Sequence, residues 1–159
     1  MTSLAETSVK KSITVNTSVE RAFEVFTSGF DSWWPRSHKL SEAGIEAALI
    51  EGRVGGRCYQ RAVDGLECDW GKVLVWEPPR RLVIAWQLDG QWKYDPDLSH
   101  ASEVEVTFTA EGAGATRVVL DHRHFERHGA MAAQVQTGVG SPMGWGNLLD
   151  AYAAVAQAG

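Results

Sequence analysis

The chain has 159 residues, the size of a single domain that can bury its own core. Hydrophobic residues make up 44% of the sequence and charged residues 22%, which excludes a disordered, collagenous or coiled-coil chain. The net charge of −5 and the scattered basic residues argue against nucleic acid or an anionic membrane as partner. The unusual feature is the seven tryptophans, which exceed what a small core needs.

Features that report on cellular location point to the cytoplasm. No apolar run approaches the roughly 20 residues of a membrane span, and Met1–Ser8 lacks the apolar stretch of a signal peptide. We therefore expect one cytoplasmic domain over residues 1–159, with residues 1–8 as a flexible N-terminus. Cys58 and Cys68 are too few for a disulfide framework, and we interpret them as free thiols in a reducing compartment.

The first part of the chain predicts a strand followed by a short helix. Val9–Val15 mixes apolar and polar residues as a half-buried strand does. Thr17 and Glu20 have the spacing of a capping box, which predicts a helix start at this point. The helix has an apolar face, made of Val19, Ala22, Phe23 and Phe26. Pro35 disfavours helical backbone at Trp34 and should end the helical region there.

A run of strands joined by short connections follows. The predicted strands are Ile45–Ile50, Arg57–Ala62, Leu66–Trp76, Arg81–Leu88, Ser102–Ala110 and Thr116–His124. Asp64 and Gly65 are a strong signal for a two-residue hairpin turn. The polar segment Gly90–His100 predicts an exposed loop, and whether residues 91–101 act as a lid is left open. Consecutive strands of this kind predict an antiparallel sheet.

The end of the chain predicts its best amphipathic helix. Ser141 and Pro142 fit an N-cap and a first helical position, after a loose connection at Gly138 and Gly140. Apolar residues then recur with helical spacing, at Trp145, Leu148, Leu149, Tyr152, Val155 and Ala156. One helix cannot fill the concave face of a sheet of about seven strands, because such a sheet curls. We therefore expect a cavity between helix and sheet.

A series of short motifs runs through the chain in a defined order. They are Val19-Glu20-Arg21-Ala22-Phe23, Gly55-Gly56-Arg57, Asp64-Gly65, Trp70-Gly71-Lys72-Val73, Trp76-Glu77-Pro78-Pro79-Arg80-Arg81-Leu82-Val83, Trp86, Gly114-Ala115-Thr116-Arg117-Val118 and Gly144-Trp145-Gly146-Asn147-Leu148-Leu149. Together they resemble the helix-grip (SRPBCC) superfamily, which includes the birch-pollen allergen, START lipid-transfer domains and polyketide cyclases. Over residues 9–157 the chain is similar to its AHSA1-like branch, named for activators of heat-shock-protein ATPase.

This resemblance implies an α+β helix-grip fold. A curved antiparallel sheet of about seven strands wraps around a long C-terminal helix, with short helices between the first two strands. It also implies that a hydrophobic small molecule is bound, and in some members converted, between sheet and helix. We predict no cofactor, and a homodimer is left open as the assembly.

Three functions follow from these features, in order of preference. The first is binding of a hydrophobic or aromatic small molecule. The second is a cyclase, hydrolase or isomerase that uses a pocket histidine, and the third is a chaperone-associated interaction module. A Trp-lined cavity of roughly 300–1,000 Å³ would favour the first two, and a filled core with an exposed apolar patch would favour the third.

The candidate ligand-binding residues are aromatic or histidine side chains expected near the cavity. They are Trp33, Trp34, His38, Trp70, Trp86, Tyr94, His122 and Trp145, with Trp92 as a further aromatic residue of the same region. The resemblance places the Trp33–His38 segment at the cavity entrance, although Trp33 and Trp34 could also close one end of the core. Trp145 could likewise be plain core packing.

Histidines carry the enzyme hypothesis. His122 shares strand parity with Val118 and Leu120, so it should face the concave side, where His122 or His38 could act as acid or base. The alternative is a structural histidine bonded to a backbone group. His124 should lie on the same face as His122, but a metal site needs three or four supported ligands, so no metal is predicted.

Overall fold

The computed structural model describes residues 8–158, apart from the side chains of residues 142 and 143. Within these residues the strands are β1 (Val9–Val15), β2 (Ile45–Ile50), β3 (Arg57–Ala62), β4 (Glu67–Glu77), β5 (Arg81–Trp86), β6 (Ser102–Ala110) and β7 (Thr116–Arg123). The α-helices are α1 (Val19–Phe26), α2 (Phe30–Trp33), α3 (Ala132–Gly140) and α4 (Asn147–Ala158). Of the predicted flexible segment 1–8, all but Ser8 lies outside the described residues.

All strands join one curled antiparallel sheet in the order β1-β7-β6-β5-β4-β3-β2. The C-terminal helix and α1 pack on its concave face. This arrangement confirms the predicted α+β helix-grip fold, including the short helices between the first two strands. No helix in the described part of the chain is long and apolar enough to cross a membrane.

The start of α1 lies one residue later than predicted. Ser18, not Thr17, is the N-cap, because its hydroxyl accepts the backbone N–H of Arg21 at 3.2 Å. Glu20 therefore occupies the first helical turn rather than the reciprocal position of a capping box. Trp34 has extended backbone and ends α2, as expected from Pro35.

Residues 125–146 contain more helix than predicted. A kinked 3₁₀ segment, Phe125–Met131, leads into α3, where the sequence predicted a loose connection. The final helix begins only at Asn147, because Gly144 has non-helical backbone (φ −92°, ψ −135°) within the preceding turn. A side chain at Gly144 would collide with the carbonyl of Val139, so this turn requires glycine. Trp145 therefore lies in the turn and not on α4.

Aromatic packing fills one half of the concave face. Tyr152 of α4 is fully buried, and its hydroxyl donates to the carbonyl of Ala22 in α1 at 2.7 Å. The rings of Phe26 and Trp33 contact the Tyr152 ring, with centroids 5.2 and 5.6 Å away. Since these rings occupy the space between α1, α2 and α4, any room for a guest molecule lies beyond them.

Candidate functional site

A cavity of about 400 Å³ lies in the other half of the concave face. Its floor comes from β3, β4 and β5, and its walls come from residues 34–40, the 88–92 connection, the end of α3 and the turn before α4. The predicted gap between sheet and C-terminal helical region is therefore present. Its volume lies within the range typical of small-molecule sites.

Five of the seven tryptophans line this space, which we call the tryptophan cavity. They are Trp34, Trp70, Trp86, Trp92 and Trp145. Four of them form a continuous wall: the centroids of Trp34 and Trp70, of Trp70 and Trp86, and of Trp86 and Trp145 lie 5.8, 5.6 and 5.8 Å apart. The rings of Trp34 and Trp70 are parallel to within 3°. The excess of tryptophan in the composition is thus concentrated at one site.

Three of these indoles have buried N–H groups without an acceptor. The Nε1 atoms of Trp34, Trp70 and Trp86 make no hydrogen bond to any described residue. By contrast, Trp33 Nε1 donates to the carbonyl of Val25 at 3.0 Å. Buried donors in folded proteins are nearly always paired. These three nitrogens have almost no accessible surface, so they lie within the packed wall and do not open into the cavity.

His122 lies behind the cavity wall, where it is fully buried. Its Nδ1 accepts the indole N–H of Trp145 at 3.1 Å, and its Nε2 lies 2.8 Å from the hydroxyl of Ser102. Because an indole N–H can only donate, Nδ1 is the acceptor and Nε2 carries the proton. The Ser102 hydroxyl accepts a hydrogen bond from this N–H and donates a hydrogen bond to His128 Nε2 at 2.7 Å. The predicted inward orientation of His122 is correct, but its partners are side chains.

The electrostatics of this pair fit a structural role. Burial, with a smaller contribution from His128, lowers the pKa of His122 well below its ordinary value of 6.5. Burial also lowers the pKa of His128. The neutral form of His122 is therefore favoured, and both its ring nitrogens are occupied within the protein. His122 contacts the cavity wall from behind, at Trp145 and at the Trp86 ring, whose centroid is 5.3 Å away.

Residues 34–40 form one edge of the cavity, and we call them the entrance segment. Gln60 of β3 holds this segment against the sheet: its Nε2 donates to the carbonyl of His38 at 2.8 Å, and its Oε1 accepts the N–H of Leu40 at 3.0 Å. His38 and Trp34 line the cavity from this segment. Trp33 does not, because its ring packs in the aromatic core.

The loop after β5 contains two further aromatic candidates, and only one of them lines the cavity. Tyr94 is exposed and does not line the cavity, whereas Trp92 of the same loop does. Trp92 has a left-handed backbone (φ 61°), and its ring packs against Gly138 of α3. Sequence reasoning did not single out Gln60 or Val139, since neither residue type carries a signal for a cavity without the fold.

The predicted pairing of His122 and His124 on one face is wrong. The backbone of His124 is left-handed (φ 66°), which ends β7 at the preceding residue and sends the side chain outward beside Glu126. Among residues 8–158 no cluster of three His, Cys, Asp or Glu side chains is placed to hold a metal ion.

Comparison with known proteins places the chain in a family. The solved structure of Txn09, described as an anthrahydroquino-Gama-pyrone synthase, is 43% identical, with 93% of this chain and 96% of that chain covered and a TM-score of 0.66. CalC from Micromonospora echinospora, described as a self-sacrificing resistance protein, is 33% identical, with 94% and 93% covered and a TM-score of 0.70. Protein NE0264 from Nitrosomonas europaea, at 17% identity, 98% and 97% coverage and a TM-score of 0.67, supports the fold alone.

Among curated proteins no match was found. The family model described as "Activator of Hsp90 ATPase homolog 1-like protein" matches residues 16–154, nearly the whole described chain. The order of the strands, the C-terminal helix and the cavity between them agree with this match. The chain therefore belongs to the AHSA1-like family of helix-grip proteins.

Proposed function

We propose that the protein binds a flat, hydrophobic aromatic molecule in the tryptophan cavity. The observation that carries this proposal is the set of five indole rings around a space of about 400 Å³. Large, rigid rings offer flat apolar walls. Burial of a ligand against them contributes roughly 25 cal/mol for each Å² of apolar surface removed from water.

The relatives support an aromatic ligand. Txn09 is described as a synthase of an anthrahydroquino-Gama-pyrone, which is a polycyclic aromatic molecule, and it shares 43% identity with this chain. We extend that ligand class to this protein. The interaction-module hypothesis required a filled core, and the cavity instead favours the binding of a small molecule.

Fluorescence titration with anthracene-2-sulfonate tests this function. We expect saturable 1:1 binding by the wild type. Val139→Phe should abolish it, since Val139 is buried and lines the cavity, where a phenyl group would occupy the ligand's space. Val54→Phe is the matched control, because it adds the same atoms at an exposed position. No saturable binding, or equal binding by wild type and Val139→Phe, would reject the proposed site.

Catalysis in the same cavity is the second candidate function. His38 lines the cavity, and the name of Txn09 describes a synthase. If His38 acts as acid or base, His38→Gln should stop conversion of an anthrahydroquinone substrate without weakening its binding. Turnover by the wild type no faster than in buffer would leave binding as the function.

We also propose a cytoplasmic location. Cys58 and Cys68 are free thiols, which is usual in a reducing compartment. The net charge of −5 further disfavours nucleic acid as a partner. Fractionation of cells that make the protein at native level tests the location, and recovery outside the cytoplasmic fraction would contradict it.

A further inference from the structure

We propose that Trp92 determines how long a ligand stays in the tryptophan cavity, and that its strained backbone serves to hold the indole ring at the cavity mouth. This inference rests on the proposed function and adds the residue that controls retention of the ligand. The indole is far larger than the glycine that usually occupies a backbone of this conformation.

Trp92 is the last residue of a three-residue hairpin loop, residues 90–92. The N–H of Asp89 donates to the carbonyl of Lys93 at 2.9 Å, and the N–H of Trp92 donates to the carbonyl of Asp89 at 3.0 Å. In hairpin loops of this length the last residue usually has a left-handed backbone, and glycine is the preferred residue there. Trp92 adopts this conformation with φ 61°, although a Cβ atom makes it unfavourable.

Contacts of neighbouring residues hold the loop in this conformation. Asp89 Oδ1 accepts the backbone N–H groups on either side of Trp92, at 2.8 and 3.1 Å. A Cβ atom at Gly90 would lie 2.9 Å from the Cβ atom of Gln134, so Gly90 allows the loop to lie directly on α3. Strained residues persist where their surroundings fix them, and they cluster at ligand sites. The strain at Trp92 therefore points to a function of its side chain.

The ring of Trp92 lies at the boundary between the cavity and solvent. Trp92 lines the cavity and is 48% exposed, whereas the other four cavity tryptophans are 3–6% exposed. Its ring packs on the backbone of Gly138 in α3, where a Cβ atom would be 2.9 Å from Trp92 Cζ2. On the other side, its centroid lies 6.5 Å from that of Trp86 in β5. The ring therefore spans the gap between sheet and α3 and separates a bound ligand from solvent.

Stopped-flow dissociation of anthracene-2-sulfonate from the wild type and from Trp92→Ala tests retention. Loss of roughly 55 Å² of apolar contact corresponds to about tenfold in affinity. Substitutions at a binding interface act mainly on the dissociation rate. We therefore expect Trp92→Ala to release the probe about tenfold faster, with little change in its association rate.

Tyr94→Ala is the matched control for this experiment. Tyr94 is an exposed aromatic residue of the same connection and does not line the cavity, so this variant should release the probe at the wild-type rate. Equal dissociation rates of the wild type and Trp92→Ala, or equal acceleration in Tyr94→Ala, would overturn the inference and leave the proposed function standing. No binding by the wild type would overturn the proposed function itself.

Urea unfolding of Trp92→Gly and Trp92→Ala tests the strain, because both variants lack the ring and only alanine keeps the Cβ atom. Alanine is the more stable of the two where the backbone is not left-handed. At position 92 we expect the reverse, with a folded-to-unfolded ratio about fivefold higher for Trp92→Gly. Gln91→Gly and Gln91→Ala are the control pair, since the Gln91 backbone is not left-handed, and alanine should be the more stable there.

The two Trp92 variants also separate the ring from the backbone. Both should release the probe equally fast, because both lack the indole. If Trp92→Ala fails to fold, Trp92→Gly provides the kinetic comparison with the wild type. Trp92→Ala at least as stable as Trp92→Gly would overturn the assignment of strain, and wild-type release by Trp92→Gly would overturn the role of the ring.

Discussion

A hydrogen-bond network behind the cavity links Trp145, His122, Ser102 and His128. The donor and acceptor of each bond can be assigned in turn, starting from Trp145. Trp145 can only donate, which makes His122 Nδ1 an acceptor and its Nε2 a donor to Ser102. Ser102 then donates to His128. His122 thus acts as a positioning residue that orients one indole of the cavity wall.

Ser102→Ala tests this hydrogen-bond network, because Ser102 lies between His122 and His128. The substitution removes the acceptor of a fully buried N–H, and leaving a buried donor unpaired costs about 1–3 kcal/mol of unfolding free energy. Urea unfolding measures the loss, and anthracene-2-sulfonate should also bind more weakly because Trp145 is less well held. Ser28→Ala serves as control, because the exposed Ser28 hydroxyl donates to the carbonyl of Glu24 and lies away from the tryptophan cavity. A Ser102→Ala variant as stable as the control would show that the Ser102 hydroxyl does not stabilise the buried His122.

The buried imidazole also predicts how stability depends on pH. Folded His122 has a lowered pKa, whereas in the unfolded chain it protonates near its ordinary value of 6.5. The unfolded state therefore binds more protons as pH falls below 6.5, and the free energy of unfolding must decrease in that direction. His122→Gln should reduce this slope between about pH 5.5 and 6.5.

The control for the pH experiment is His100→Gln. Asp95 and Asp97 raise the pKa of the exposed His100, so its contribution to stability has the opposite sign: it is present below 6.5 and lost as pH rises through the folded-state value. Removing it should leave the acid-side slope due to His122 in place. If the free energy of unfolding depends on pH equally in the wild type and in His122→Gln, the acid-side slope does not come from the buried His122.

At the scale of elements, the entrance segment is the part whose position depends on one side chain. Gln60→Leu removes both hydrogen bonds that hold residues 38 and 40 while keeping the side chain's size. We expect anthracene-2-sulfonate to bind about tenfold more weakly, the loss that corresponds to about 1.4 kcal/mol. Gln87→Leu is a matched control, since Gln87 is also buried but holds residues 95 and 96 instead. Equal effects of the two substitutions would contradict a specific role for Gln60.

The elements also show what a sequence can predict here. The strands were predictable from alternation and turn residues, and Val118, Leu120 and His122 face inward as their parity indicated. Helix α3 was not predictable from the sequence, because Gly138 and Gly140 have low helix propensity and the helical state of α3 depends on tertiary packing. Trp145 lies in the turn because the non-helical backbone at Gly144 delays the start of α4 to Asn147, although the helical spacing of apolar residues already begins at Trp145.

At the scale of the whole molecule, the concave face is divided into a filled half and an open half. Tyr152, Trp33 and Phe26 occupy the first, and the tryptophan cavity occupies the second. Composition indicated an aromatic site, but not which rings form it. Trp33 and Trp34 are neighbours in sequence and lie on opposite sides of this division, because the backbone leaves the helix between them.

This division makes the seven indole N–H signals a direct readout of the site. In a ¹H–¹⁵N spectrum titrated with anthracene-2-sulfonate, we expect the signals of the five cavity tryptophans to shift in a saturable manner. Trp33 and Trp76, which lie outside the cavity, should keep their positions. Replacement of one tryptophan at a time by phenylalanine assigns each indole signal to its residue. A spectrum in which no indole signal moves, or in which Trp33 and Trp76 move as much as the cavity set, would contradict binding in the tryptophan cavity.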